Sequence, residues 1–479
     1  MPVASPGSDA GGSPQGGPPV VGGFPPGFLW GAGTSAFQVE GALDADGRGE
    51  SVWDVFARRP GAIEDGADGS RACESYARWR EDVALVAELG LGAYRFSVAW
   101  SRVMPEGTGR VEARGLDHYE RLVDALLARG VVPVLTLNHW DMPQALMADG
   151  GWAGRASVDA FAEYTGAVAG RLADRVPWWI TQNEPWIIAL LGYRLGLHAP
   201  GVSDLGASLA AGHHVLLGHG AAADVLHAYP GARVGAALSL FPCDPATPSP
   251  ADVAAAEGSD GYVNRWFLDP LLAGGYPADM REHWERALGR PLDVIRDGDE
   301  DAIGGRSDFL GVNYYTRRVM AAAEPGPGRP FPWQVVDPGG TAPRTDAGWE
   351  VNPAAMHDLL VRLARDYPGV PLVVTENGGV FADAPTHDGR VHDRRRTAFL
   401  RGHVAALAEA IAAGADVRGY VHWSLMDNLE WALGYRPRFG LVHVDYPTGV
   451  RTVKDSGRVY AELARTGVLP PDPAVVPFG

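Results

Sequence analysis

Val131-Val132-Pro133-Val134-Leu135-Thr136-Leu137 is apolar at nearly every position. A strand with one wet face alternates apolar and polar residues; a strand covered on both faces does not, and helices laid over a parallel sheet give that double cover. Seven further runs of β-rich apolar residues occur at 28–32, 94–99, 178–181, 234–240, 309–314, 371–375 and 419–424. Between them lie amphipathic stretches with helical spacing, at 79–89, 116–128, 158–172, 207–227, 354–364 and 397–412. Gly90, Gly130 and Gly414 follow three of these stretches, where a left-handed helix cap favours glycine. Eight strand-then-helix units predict an α/β fold, a single (β/α)8 TIM barrel with extended loops at its C-terminal face after strands five, six and eight. An open, doubly wound sheet is the structural alternative.

The chain has 479 residues, a length that barrels with insertions reach. Residues 1–23 are rich in Gly, Pro, Ser and Ala and carry neither a basic start nor an apolar stretch. They are expected to form a disordered tail and not a cleaved export signal, leaving 24–479 as one barrel domain. Against 58 Asp and Glu stand 41 Lys and Arg, a net charge of −17 that disfavours nucleic acid and anionic membranes as partners. No apolar run reaches the roughly 18 residues of a membrane span. The two cysteines, Cys73 and Cys243, supply neither a disulfide framework nor a CxxC pair, which fits a reducing, cytoplasmic setting. Assembly into a homo-oligomer stays open.

The polar residues at the strand ends carry the functional reading. Arg95 lies in strand two, His139 after strand three, and Asn183 and Glu184 after strand four. Asn313 and Tyr315 close strand six, Glu376 closes strand seven, Trp423 is in strand eight, and Gln38 follows strand one. A parallel barrel gathers the C-terminal ends of its strands around one axis, so these residues should converge on one pocket despite their distance in sequence. Strand five alone contributes no candidate.

Glu184, in Thr-Gln-Asn-Glu-Pro, and Glu376, in Thr-Glu-Asn-Gly, are expected to face each other across the ring. Two opposed carboxyls suit glycoside hydrolysis, one donating a proton to the departing oxygen and the other attacking the anomeric carbon or activating water. The bland alternative makes each an ordinary strand-end carboxylate. Arg95 sits in an apolar strand and needs an anionic partner; paired with Glu376, it would favour that residue as nucleophile and leave Glu184 to hold a proton. A metal and a cofactor are not expected, because no His/Asp set at the strand ends completes a ligand shell. Trp140, Trp186, Trp349, Trp423 and Trp431 fall in the inferred mouth, and their flat faces suit the C–H faces of a sugar.

Taken together, these residues resemble glycoside hydrolase family 1, the retaining β-glycosidases. The resemblance runs from Phe24 to about Tyr460 and rests on motifs in family order. They include Ser35-Ala-Phe-Gln-Val-Glu-Gly, Asn138-His-Trp-Asp-Met-Pro, Gly311-Val-Asn-Tyr-Tyr-Thr and Trp423-Ser-Leu-Met-Asp-Asn-Leu-Glu-Trp. It implies Glu184 as acid/base, Glu376 as nucleophile, and Arg95, Asn313 and Tyr315 as groups that orient the nucleophile. It further implies that Gln38, His139, Asn183, Glu430 and Trp431 bind sugar hydroxyls, with Trp423 as stacking floor and Trp349 as leaving-group platform. The expected partner is a small β-glycoside or oligosaccharide. Gln182 and Leu429 depart from the residues usual in the family, and neither change touches a catalytic group.

Overall fold

The computed structural model describes residues 23–326 and 331–471; the expected N-terminal tail, Gly23 aside, lies outside the described residues. Eight strands form a closed barrel: β1 Leu29–Gly33, β2 Ala93–Ser97, β3 Val132–Asn138, β4 Trp178–Asn183, β5 Arg233–Ser239, β6 Phe309–Asn313, β7 Leu372–Asn377 and β8 Val417–Trp423. Each pairs in parallel with its sequence neighbours, and β8 closes on β1. The sequence-predicted strands all fall within three residues of these bounds. The expected glycine caps also form: Gly90, Gly130 and Gly414 have φ of 67°, 71° and 101°.

Period-two alternation sorts the barrel residues. Along β2, Ala93 and Arg95 share the inner face, while Tyr94 and Phe96 pack outward with the surrounding helices. Ala93, Val134, Trp178, Ile180, Ala237, Phe309 and Val373 fill the lower interior as one apolar cluster. The Trp178 and Phe309 rings meet edge to face at 4.9 Å, a contact worth about 1 kcal/mol beyond area burial. This plug leaves polar residues only the upper end of the barrel.

Two sequence expectations need correction. The stretch after β5 is a helical insertion more than a loop, containing helices Pro250–Asp260, Trp266–Leu272 and Ala278–Leu288. A short three-stranded sheet spans the β5 and β6 insertions, pairing Arg318–Ala322 with both Cys243–Pro245 and Trp333–Val336. Strands β4 and β7 are three steps apart around the ring, not diametrically opposed. The two glutamates therefore approach obliquely.

Candidate active site

Both glutamates sit where strand pairing breaks register. The β4–β5 ladder shifts between Ile180 and Asn183, and the β6–β7 ladder shifts between Val374 and Glu376. Such bulges re-aim a side chain that strict alternation would point elsewhere. Glu184 follows β4 with φ 51° and ψ 64°, a left-handed conformation that costs a non-glycine residue about 1–2 kcal/mol. Pro185 then starts a helical turn, so Glu184 stands at a sharp corner held by its N–H bond to the Ala237 carbonyl, 2.8 Å. Beyond Glu376, Gly378 must lack a side chain, because a Cβ there would lie 1.8 Å from the Trp423 carbonyl oxygen.

Glu376 is gripped from two sides. Arg95 Nη1 lies 2.6 Å from its Oε1, and the Tyr315 hydroxyl donates to its Oε2 at 2.5 Å. The buried guanidinium is otherwise satisfied, donating to the Thr375 carbonyl at 2.9 Å, Asn183 Oδ1 at 2.7 Å and Thr136 Oγ1 at 3.2 Å. A buried charge pair adds little net stability, but removing one partner strands the other. Arg95 thus fixes the orientation of Glu376.

Among the described residues Glu184 has no cationic partner within salt-bridge reach. It accepts from Asn313 Nδ2 at 2.9 Å, and the Ser239 hydroxyl lies near enough to favour its charged form. Burial, followed by the nearby negative charge of Glu376, pushes its carboxyl up to about 8, against the opposing pull of Asn313, Arg95 and Ser239. One carboxylate in an ion pair and one carboxyl kept protonated near neutrality form an acid and nucleophile set.

His139, Glu184, Tyr315, Trp349, Glu376, Trp423, Glu430 and Trp431 line one cavity of about 1030 Å³ including its mouth. The imidazole of His139 stacks on Trp423 at 5.6 Å and 15°, and Trp349 lies beside Tyr315 at 5.7 Å. Burial and the charge of Arg95 drive the His139 pKa well below its usual value, so the ring is neutral. Glu430 Oε2 is buried without a partner among the described residues, and burial with the charge of Glu376 lifts this carboxyl to about 8.

Arg95, Asn183 and Asn313 stand behind this surface as a bonded layer: Asn183 Oδ1 accepts from both Arg95 and Asn313, and its Nδ2 lies 3.1 Å from His139 Nε2. Gln38 also lies off the cavity wall. Its amide is committed to Ser35, Asn428 and the Leu429 carbonyl, so it braces the segment that carries Glu430. Trp186, expected in the mouth, turns to another cavity. Ser239 closes β5 and lines the cavity beside Glu184, supplying the contribution of strand five that sequence reading missed. Its signal was a lone hydroxyl ending an apolar strand. Among the described residues no group of three or more His, Cys, Asp or Glu is placed to hold a metal.

The model of the glycosyl hydrolase family 1 matches residues 20–468. The chain belongs to glycosyl hydrolase family 1. A β-glucosidase of Agrobacterium sp. is 44% identical over 92% of this chain and 95% of its own length. Thermostable β-glucosidase B of Thermobispora bispora is 45% identical, over 93% and 91% respectively. Among solved structures, the psychrophilic β-glucosidase of Micrococcus antarcticus superposes with a TM-score of 0.88 at 44% identity, covering 92% of this chain and 97% of that one. The family 1 β-glucosidase of Thermotoga maritima has a TM-score of 0.88 at 38% identity, covering 94% and 99%. No helix among the described residues is long and apolar enough to cross a membrane.

Proposed function

We propose that this family 1 enzyme hydrolyses terminal, non-reducing β-D-glucosyl residues by double displacement. Glu376 attacks the anomeric carbon while Glu184 protonates the glycosidic oxygen; the aglycone leaves and the sugar remains bonded to Glu376. Glu184, now a base, takes a proton from water, whose oxygen displaces Glu376 and restores the β-configuration. The observation that carries this reading is the unequal treatment of two carboxyls in one cavity: Glu376 pairs with Arg95 and Tyr315, while Glu184 is desolvated and kept protonated.

In this reading Trp423 floors the glycone site, His139, Glu430 and Trp431 meet its hydroxyls, and Trp349 carries the leaving group. Asn183 and Gln38 act by holding those groups in place. Glu430 argues against a phosphorylated glycone, because an acidic side chain offers a phosphate no positive charge and repels it once ionised. Residues 24–479 act as one catalytic unit. Two free cysteines, one buried against the Asp427 carbonyl, support a reducing, cytoplasmic setting. The test is a panel of p-nitrophenyl β-D-glucoside, β-D-galactoside and β-D-fucoside followed by cellobiose, with the first-formed anomer read by proton NMR. Glucoside turnover with initial β-glucose is expected. No release from the glucoside, or initial α-glucose, refutes the proposal.

A further inference from the structure

A second cavity, also about 1030 Å³ with its mouth, lies behind the wall that starts at Glu184. That wall is the helical stretch Pro185–Ile187 and its continuation Ile188–Arg194, a π-helix. Ile187 and Leu191 face the glutamate cavity, whereas Trp186, Ala189, Leu190 and Arg194 face the other chamber. Aromatic rings complete it, with Tyr262, Trp266 and Trp284 among its lining residues. Leu195, half exposed, stands at its mouth, with the exposed Leu197 two residues on. Concave, apolar cavities lined by aromatic rings hold small organic molecules.

The polar groups of this chamber are mismatched. Among the described residues no carboxylate lines it, and its one charged residue is Arg194. Among the described residues the Arg194 guanidinium has neither an ion-pair partner nor a hydrogen bond. Arg318, also without a carboxylate, stacks on the Trp186 ring at 4.8 Å and on Phe241 at 4.2 Å, where burial lowers its pKa. Both positive fields reach the cavity: burial lifts the Tyr262 phenol, and Arg318 and Arg194 oppose that lift. The buried indole N–H groups of Trp186 and Trp284 are unpartnered as well, while the Ser208 hydroxyl is already spent on the Ala189 carbonyl. Desolvated donors and cations without acceptors are costly until an anion meets them.

We propose that this second cavity binds a small aromatic carboxylate, its ring system among Tyr262, Trp266 and Trp284 and its carboxylate on Arg194. The aromatic walls favour a flat apolar body, through offset and edge contacts. The guanidinium fork favours a carboxylate, which it can bond in bidentate fashion. The inference stands on the chamber alone and does not depend on the hydrolytic roles assigned to Glu184 and Glu376.

The test is isothermal titration calorimetry of the full chain with 2-naphthylacetate, using 2-naphthylacetamide as its neutral counterpart. Deoxynojirimycin is added to compete for the glutamate cavity. One site is expected for the carboxylate, about tenfold or more tighter than the amide and indifferent to deoxynojirimycin. Arg194→Met should erase that preference while leaving kcat/KM on an aryl β-glucoside within about twofold, and Arg194→Lys should recover part of it. Ala287→Trp, at an exposed position on the cavity lining, should block binding by filling the entrance. No binding of the carboxylate, equal binding of the amide, displacement by deoxynojirimycin, or unchanged binding to Arg194→Met would each overturn the proposal.

Discussion

Replacing Glu376 by glutamine removes a negative charge from beside Glu184 with little change in shape. Charge from Glu376 is the second cause, after burial, of the elevated Glu184 pKa. Two unit charges about 5.5 Å apart, the separation that retention requires, interact by about 3 kcal/mol at an effective dielectric constant of about 20. That corresponds to about 2 pKa units. Loss of a like charge makes ionisation easier, so Glu184 in Glu376→Gln should titrate about 2 units lower, yet above an ordinary glutamate because burial, the larger cause, persists. Glycosylation of Glu376 neutralises it in the same way, which would convert Glu184 from proton donor to proton acceptor between the two steps. The assay is a 13C NMR titration with labelled glutamate, assigned by Glu184→Gln. A Glu184 pKa that rises, or moves by less than about half a unit, refutes this electrostatic reasoning.

Other outcomes follow from single contacts. Tyr315→Phe deletes a hydrogen bond to the Glu376 carboxylate, and at about 1.5–3 kcal/mol kcat/KM should fall roughly ten- to a hundredfold while the thermal midpoint barely moves. Trp349→Ala should raise KM for aryl β-glucosides more than it lowers kcat, because the ring lines the outer cavity without touching either carboxyl oxygen through a hydrogen bond. Asp141 is buried with neither carboxyl oxygen bonded to another side chain, and burial lifts it to about 7. The folded state thus keeps a proton that the unfolded chain releases near pH 4, and stability should fall as pH rises from about 4 to about 7. Asp141→Asn should remove on the order of 2–4 kcal/mol of that fall, measured by denaturant unfolding across this range.

The barrel was legible because its eight strands are doubly covered and its helices amphipathic, both of which leave periodic signals. The Arg95–Glu376 pair was legible for a different reason: a guanidinium in the apolar run Tyr94-Arg95-Phe96 demands an anion, and few are within reach of a barrel interior. Register shifts at Asn183 and Glu376 left no such trace, since they depend on how neighbouring ladders slip. The oblique approach of β4 and β7, by contrast, follows from strand order alone, since strands four and seven of an eight-stranded ring lie three steps apart. Gln38 illustrates a further limit. Its position near the mouth was readable, but its amide is consumed by the segment at Asn428 and Leu429, a contact across most of the chain. Ser239 was overlooked because a terminal serine in an apolar strand reads as a boundary until the barrel turns it toward Glu184.

The central claim is that Glu376 carries the sugar. Incubation with 2-deoxy-2-fluoro-β-D-glucosyl fluoride, which slows both steps and allows the ester to accumulate, followed by proteolysis and mass spectrometry, locates the bond directly. A single fluoroglucosyl adduct on the peptide containing Glu376 is expected. An adduct on Glu184 or another residue, or inactivation without any adduct, contradicts the account.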